Sequence, residues 1–126
     1  MTTHPCVADA ARRETAILDW GRLDWLVTGA AMPGAELTFG LVTIKPGERN
    51  PLHSHPNCEE VLYVVSGRCE HRLGDEVLAL EPGSAIRIPR GVPHWARCVG
   101  DEPLQAIIAF SSGDRRADMH EEQGVA

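Results

Sequence analysis

An all-β domain, built as a sandwich or a barrel, is what this chain predicts, and three observations predict it. Short apolar runs rich in β-branched and aromatic residues alternate with turn residues at close intervals. Twelve glycines and nine prolines fall mostly between those runs, where they end strands rather than interrupt them. Only "VADAARRE" near the start has the composition for a helical turn or two.

The elements follow in order. "RLDWLVT" (22–28) leads into "GAAMPGA", and "ELTFGLVTI" (36–44) into "KPGERNP". "EVLYVV" (60–65) stops at "SG", "EVLAL" (76–80) at "EPG", and "AIRIP" (85–89) at "RGVP". "LQAIIAF" (104–110) closes the series before "SSGD". Six to nine short strands of this kind each bury one face, which packed sheets or a closed barrel satisfy. Residues 20–112 are expected to form that body, with an arm at 1–19 and a polar tail at 113–126. The tail lacks apolar periodicity and is expected to fray or to pack on a partner.

Bulk properties exclude several functions. The 126 residues are 43% hydrophobic and 24% charged, the balance of one compact domain with a single core. Net charge is -6, and Lys45 is the only lysine, so no basic stripe exists to neutralise phosphates and no nucleic-acid partner is expected. The longest apolar runs, "VLYVV" and "AIIAF", are five residues, against about 20 for a bilayer span, so no membrane partner is expected. "MTTHPCVADAARRE" has neither the cationic start nor the apolar middle of a secretory signal, and a cytoplasmic location is expected. Cys6, Cys58, Cys69 and Cys98 show no C-x-x-C spacing and are read as reduced thiols.

"HSHPNCEE" (53–60) carries the chemistry. Residues two apart on a strand share a face, so His53 and His55 present both imidazoles to one side. Pro56 and Asn57 are turn residues, and they let Glu60 return alongside as a third ligand. A fourth must come from His71, His94 or His120; His94 stands out, because "IPRGVPH" sets it just past a proline-glycine corner. Glu59 takes the opposite face and is read as solvated, and Cys58 as an incidental thiol at the rim. His71 shares a side with Cys69 and Leu73; it is a candidate catalytic base or substrate contact, set against an ordinary core histidine. Trp20 and Trp25 are expected to cover the barrel or a subunit contact. His4 and His120 fall in the chain's ends and are given no role.

The whole pattern resembles the cupin superfamily, in its small single-domain form. Its first motif reads Gly-x5-His-x-His-x4-Glu-x6-Gly from Gly47 through His53, His55 and Glu60 to Gly67. The second reads Gly-x5-Pro-x-Gly-x2-His from Gly83 through Pro89 and Gly91 to His94, after fifteen intervening residues. The resemblance implies a jelly-roll β-barrel (a double-stranded β-helix) whose bowl holds a metal on His53, His55, Glu60 and His94. It also implies a homodimer. One position departs: Cys98 stands where the second motif usually ends in Asn. Its thiol is read as packing, with a soft group behind the ligands or a nucleophile as the other readings.

Three neutral imidazoles and a carboxylate suit a divalent transition metal, manganese, iron, nickel or zinc, and leave about two adjacent positions open on an octahedral ion. A small-molecule substrate that chelates through two oxygens fits there, such as an enolate, α-hydroxy ketone, β-dicarbonyl or carboxylate. The expected function is an enzyme acting on that substrate, leaning to dioxygenase-type chemistry. An isomerase, cyclase or lyase using Lewis acidity, with Glu60 or His71 as base, is the second reading, and a non-catalytic ligand-binding cupin the third. Substrate choice is expected to rest on "GAAMPGAE" (29–36) and the C-terminal strand at the rim.

Overall fold

Alternation of apolar and polar residues, with glycine at the corners, builds every strand of the computed structural model, which describes residues 4–121. A six-stranded antiparallel sheet runs in the order β1 (Glu14–Leu18), β2 (Gly21–Val27), β3 (Thr38–Ile44), β10 (Leu104–Phe110), β5 (Glu60–Ser66), β8 (Ala85–Ile88). The second, five-stranded sheet is ordered β11 (Asp118–Met119), β4 (His53–Ser54), β9 (His94–Val99), β6 (Arg68–Leu73), β7 (Glu76–Leu80). Side chains alternate strictly in burial along β3, β5 and β9, so each strand gives one face to a common core. Val42, Leu62, Val64 and Ile108 come to that core from the larger sheet, and Cys69, Ala96 and Cys98 from the smaller. The architecture is all-β and jelly-roll, with the two sheets facing each other rather than closing into one continuous barrel.

The expected strands stand within two residues of their predicted ends. The differences lie at the two termini. "VADAARRE" forms turns and no helix, and β1 begins at Glu14, inside the stretch read as an arm. This edge strand pairs only with β2 and leaves Ile17 73% exposed, so its sequence carries no buried-face signal. Residues 113–121 pack on their own chain, with β11 pairing along β4, while 122–126 of the expected tail lie outside the described residues.

Two turns tie the motif glycines to the fold. Gly67 joins β5 to β6 with φ of +80°, and a Cβ there would come within 2.4 Å of the Pro103 carbonyl oxygen. Both facts demand glycine. Gly47, with φ of +81°, turns the chain after β3 and donates its N–H to the Cys98 carbonyl at 3.1 Å. That bond sets the segment carrying His53 beside β9, the strand carrying His94.

Trp20 and Trp25 do not sit outside. Trp20 is 2% exposed, and apolar residues facing outward on the larger sheet include Ile17 of β1 and Val61, Tyr63 and Val65 of β5.

Candidate metal centre

Three strands deliver four ligands to one end of the sandwich. His53 on β4 lies directly across from His94 on β9, so the pleat brings both imidazoles to the inner face together. His55 follows immediately after β4, and the Pro56–Asn57 turn then carries the chain to Glu60, the first residue of β5. Glu60 thus enters from the opposite sheet, where it pairs with Phe110 and Ile88.

The four groups converge. Their ligand atoms all lie within 4.8 Å of one another. Glu60 Oε1 is 3.1 Å from His94 Nε2 and 3.2 Å from His55 Nε2, and the His53 and His94 ring centres are 4.3 Å apart. Donors held about 2.1 Å from one ion sit about 3 Å apart when at right angles, so these spacings match a shared cation.

Hydrogen bonds behind the rings settle which nitrogens face inward. Nδ1 of His53 lies 2.7 Å from the Pro51 carbonyl, Nδ1 of His55 2.8 Å from that of Arg116, and Nδ1 of His94 2.8 Å from that of Val92. A carbonyl oxygen only accepts, so each Nδ1 carries a hydrogen and each ring turns its Nε2 to the centre. With no proton on Nε2, those atoms present lone pairs to the Glu60 carboxylate, which also only accepts. His55 Nε2 is buried with no hydrogen-bond partner. Acceptors opposed at this distance repel unless a cation, a proton or a metal, lies among them, and a divalent ion satisfies all four ligands at once.

Electrostatics favour the required protonation states. Burial, followed by the charge of neighbouring His94, pushes His53 down to about 3, so its imidazole is neutral at pH 7. Burial alone would raise Glu60, yet positive charge on its His55 and His94 side, the place a bound cation would take, more than offsets it and holds the carboxyl below its ordinary value.

Above the ligands lies a cavity of about 160 Å³, walled chiefly by Trp20, Trp25, Leu62, Ile108 and Phe110. Trp20 and Trp25, expected from sequence to cover the barrel or a subunit contact, therefore line the bowl. Residues 29–36, expected at its rim, do not line it; Arg115, Ala117 and Met119 of the C-terminal segment do. Glu59 points outward and pairs with Arg87 at 2.5 Å.

His71 is placed differently from a substrate contact. It is 1% exposed, stacks on His94 with ring centres 5.8 Å apart and planes at 10°, and does not line the bowl. Burial pushes it down to about 4, which makes it a neutral plate backing a ligand. Cys58, read as a rim thiol, is 0% exposed, because its side chain turns into the core beside the ligand turn. Cys98 is equally buried and donates to the Glu102 carbonyl at 3.1 Å, which fits the packing role. His120 is not idle: its Nε2 meets Ser54 Oγ at 2.9 Å and helps seat β11.

Residues 40–110 match the cupin domain family. The chain is a cupin. Among its relatives is polyketide synthase CurC of Streptomyces cyaneus, 35% identical over 107 residues, spanning 85% of this chain and 70% of that protein. Oxalate decarboxylase OxdC of Bacillus subtilis is 31% identical over 95 residues, spanning 71% of this cupin but only 24% of the relative. Among solved structures, the formate complex of Lactobacillus farciminis oxalate decarboxylase superposes with a TM-score of 0.80 at 22% identity, over 87% of this cupin and 34% of that chain. Its likeness is one of fold. Together the match and the geometry make this a metal-binding cupin with a three-histidine, one-glutamate centre.

Sequence reading missed Arg115 and the Arg116 carbonyl. A backbone carbonyl has no residue-type signature, and Arg115 sits in a polar run with no periodicity to mark it.

Proposed function

We propose that this cupin is a metal-dependent enzyme that chelates a small, oxygen-rich organic substrate and oxidises it with dioxygen. The observation that carries the reading is the inward set of three Nε2 lone pairs and one carboxylate at the base of an apolar bowl. A divalent ion there would supply Lewis acidity toward a chelated enolate and, if redox-active, electrons for dioxygen.

The choice between oxidation and proton-transfer chemistry turns on what else lines the bowl. Beyond the ligands, the residues with polar groups that line it are Asn50, Trp20, Trp25 and Arg115. Asn50 already accepts from the Ala96 N–H at 2.8 Å, the indole N–H only donates, and a guanidinium stays charged. None is a base. An isomerase or lyase would have to borrow Glu60 from the metal, since His71 is shut behind His94. This supports dioxygenase-type chemistry over the Lewis-acid alternatives.

The relatives suggest the substrate. A polyketide synthase name belongs to one and oxalate decarboxylase to another, and both words point to molecules dense in carbonyl or carboxylate oxygens. A β-dicarbonyl or enolised phenolic compound fits the bowl's apolar walls best.

The test begins with metal-free protein reloaded separately with manganese, iron, nickel or zinc. The manganese(II) centres of Bacillus subtilis oxalate decarboxylase make manganese the first ion to try. Oxygen uptake with β-dicarbonyl compounds, dependent on manganese or iron and abolished in His53→Ala, is expected. Deuterium exchange from solvent into the same compounds without oxygen uptake would instead identify the Lewis-acid reading.

A further inference from the structure

The bowl contains a cation that the metal centre does not use. Arg115 reaches it from the segment between β10 and β11, with its guanidinium carbon 4.5 Å from the Trp25 ring centre and 5.3 Å from that of Phe110. No carboxylate among the described residues forms an ion pair with it, although the chain carries eighteen acidic residues against twelve basic ones. Aromatic faces orient a guanidinium without taking up its N–H donors.

Its position is fixed by its neighbours. Asn57 donates to the Asp114 carbonyl at 2.7 Å and accepts from the Arg116 N–H at 3.1 Å, clasping the chain on both sides of Arg115. The Arg116 carbonyl in turn holds His55 Nδ1 at 2.8 Å. One short segment therefore orients a ligand and aims a cation at the same cavity.

A second donor lines the bowl. Trp20 is 2% exposed and its indole N–H has no partner within the described residues. With Asn50 engaged and Glu60 committed to the metal, the free hydrogen-bonding groups are donors alone. Charge runs the same way. A divalent ion against Glu60 leaves about one positive charge, and Arg115 adds another inside apolar walls.

We infer that Arg115, assisted by the Trp20 N–H, is the substrate-binding residue that makes this bowl select organic oxyanions, a carboxylate or ionised enol, over their neutral counterparts. This rests on the chelation reading above and adds the charge of the ligand to it. Burial lowers the Arg115 pKa from its ordinary value, which fits a guanidinium short of counter-charge.

Salicylate and salicylamide are suitable probes: similar in size, both able to chelate, and different in charge. Each is titrated into cobalt(II)-loaded full-length protein and followed by the visible spectrum of the metal, with cobalt content measured separately. Wild type is expected to bind salicylate at least tenfold more tightly than salicylamide. Arg115→Met should cut that preference at least fivefold, the remainder coming from the metal's own charge, while leaving salicylamide affinity within twofold and cobalt stoichiometry unchanged. Arg115→Lys should keep most of it, and Trp20→Phe should weaken both probes by a smaller factor. If both probes perturb the spectrum and Arg115→Met keeps the wild-type preference for salicylate, Arg115 has no such role while chelation stands. If cobalt is bound and neither probe perturbs it, the chelation reading falls and this inference with it.

Discussion

Metal binding should stabilise this protein by an amount that the site's geometry makes specific to four side chains. Without an ion, Nε2 of His55 and of His94 face the Glu60 carboxylate at 3.2 and 3.1 Å, all three groups nearly buried. An ion that binds only the folded state at about 1,000 times its dissociation constant adds about 4 kcal/mol. Unfolding entropy near 2.1 cal/mol/K per residue, over 126 residues, converts that into a rise of about 15 °C in Tm. His94→Gln removes one ligand and keeps a polar side chain in its place. Groups that merely orient ligands are worth about 10- to 100-fold in affinity, so losing a ligand should cost at least about 100-fold. At the same manganese concentration the gain then shrinks to about 1.5 kcal/mol, or about 5 °C. Scanning calorimetry of EDTA-treated protein, with and without manganese chloride, reads both values. A full rise in His94→Gln would refute the ligand set, as would no rise in the wild type with any of the four metals.

Other consequences are cheaper to check. In native protein only exposed Cys6 should react promptly with a thiol reagent, because Cys58, Cys69 and Cys98 are 0, 1 and 0% exposed and burial pushes Cys69 up to about 12; four thiols should appear on unfolding, and a second fast thiol would contradict the packing described. Gly67→Ala should cost roughly 2 kcal/mol or more in urea unfolding, since φ of +80° and contact with the Pro103 carbonyl both oppose a methyl group; a neutral effect would mean the turn is not held as described. Arg49 and the Leu52 N–H hold the Glu121 carboxyl down to about 2 against an ordinary 4.5, so its stabilisation is present above about pH 4.5 and is lost as pH falls toward 2. The gap in urea midpoint between wild type and Glu121→Gln should therefore be constant above that range and close below it, and a gap independent of pH would remove the ion pair from the account.

How far sequence carried the reading depended on whether a constraint was written in side chains. The pairing of His53 with His55 follows from strand periodicity alone, and Glu60 and His94 follow from turn residues and motif spacing. Gly47 and Gly67 were legible as positions of the motif the chain resembles, and the structure gives the reason: their left-handed backbone admits almost nothing else. His71 was ambiguous for a physical reason. Strand alternation sends it inward correctly, but depth within the sandwich, which separates a bowl residue from one shut behind His94, is set by the packing of two sheets. The same limit misplaced Cys58 and the tryptophans: periodicity gives a side, not a layer. β1 was missed because an exposed edge strand needs no apolar face.

The C-terminal segment shows the largest gap between what composition says and what structure does. Polar and aperiodic, 113–121 reads as a fraying end, yet it completes the metal centre from outside the motifs. Its hold is distributed: Asn57 clasps Asp114 and Arg116, β11 pairs with β4, His120 meets Ser54, and Glu121 takes both the Arg49 guanidinium and the Leu52 N–H. Each contact is a hydrogen bond or ion pair of modest worth, and none requires an apolar residue. Their sum fixes one backbone carbonyl behind His55 and one guanidinium over the bowl. A segment can therefore be indispensable to a site while contributing almost nothing to the core, and apolar patterning, which reports only the core, passes over it.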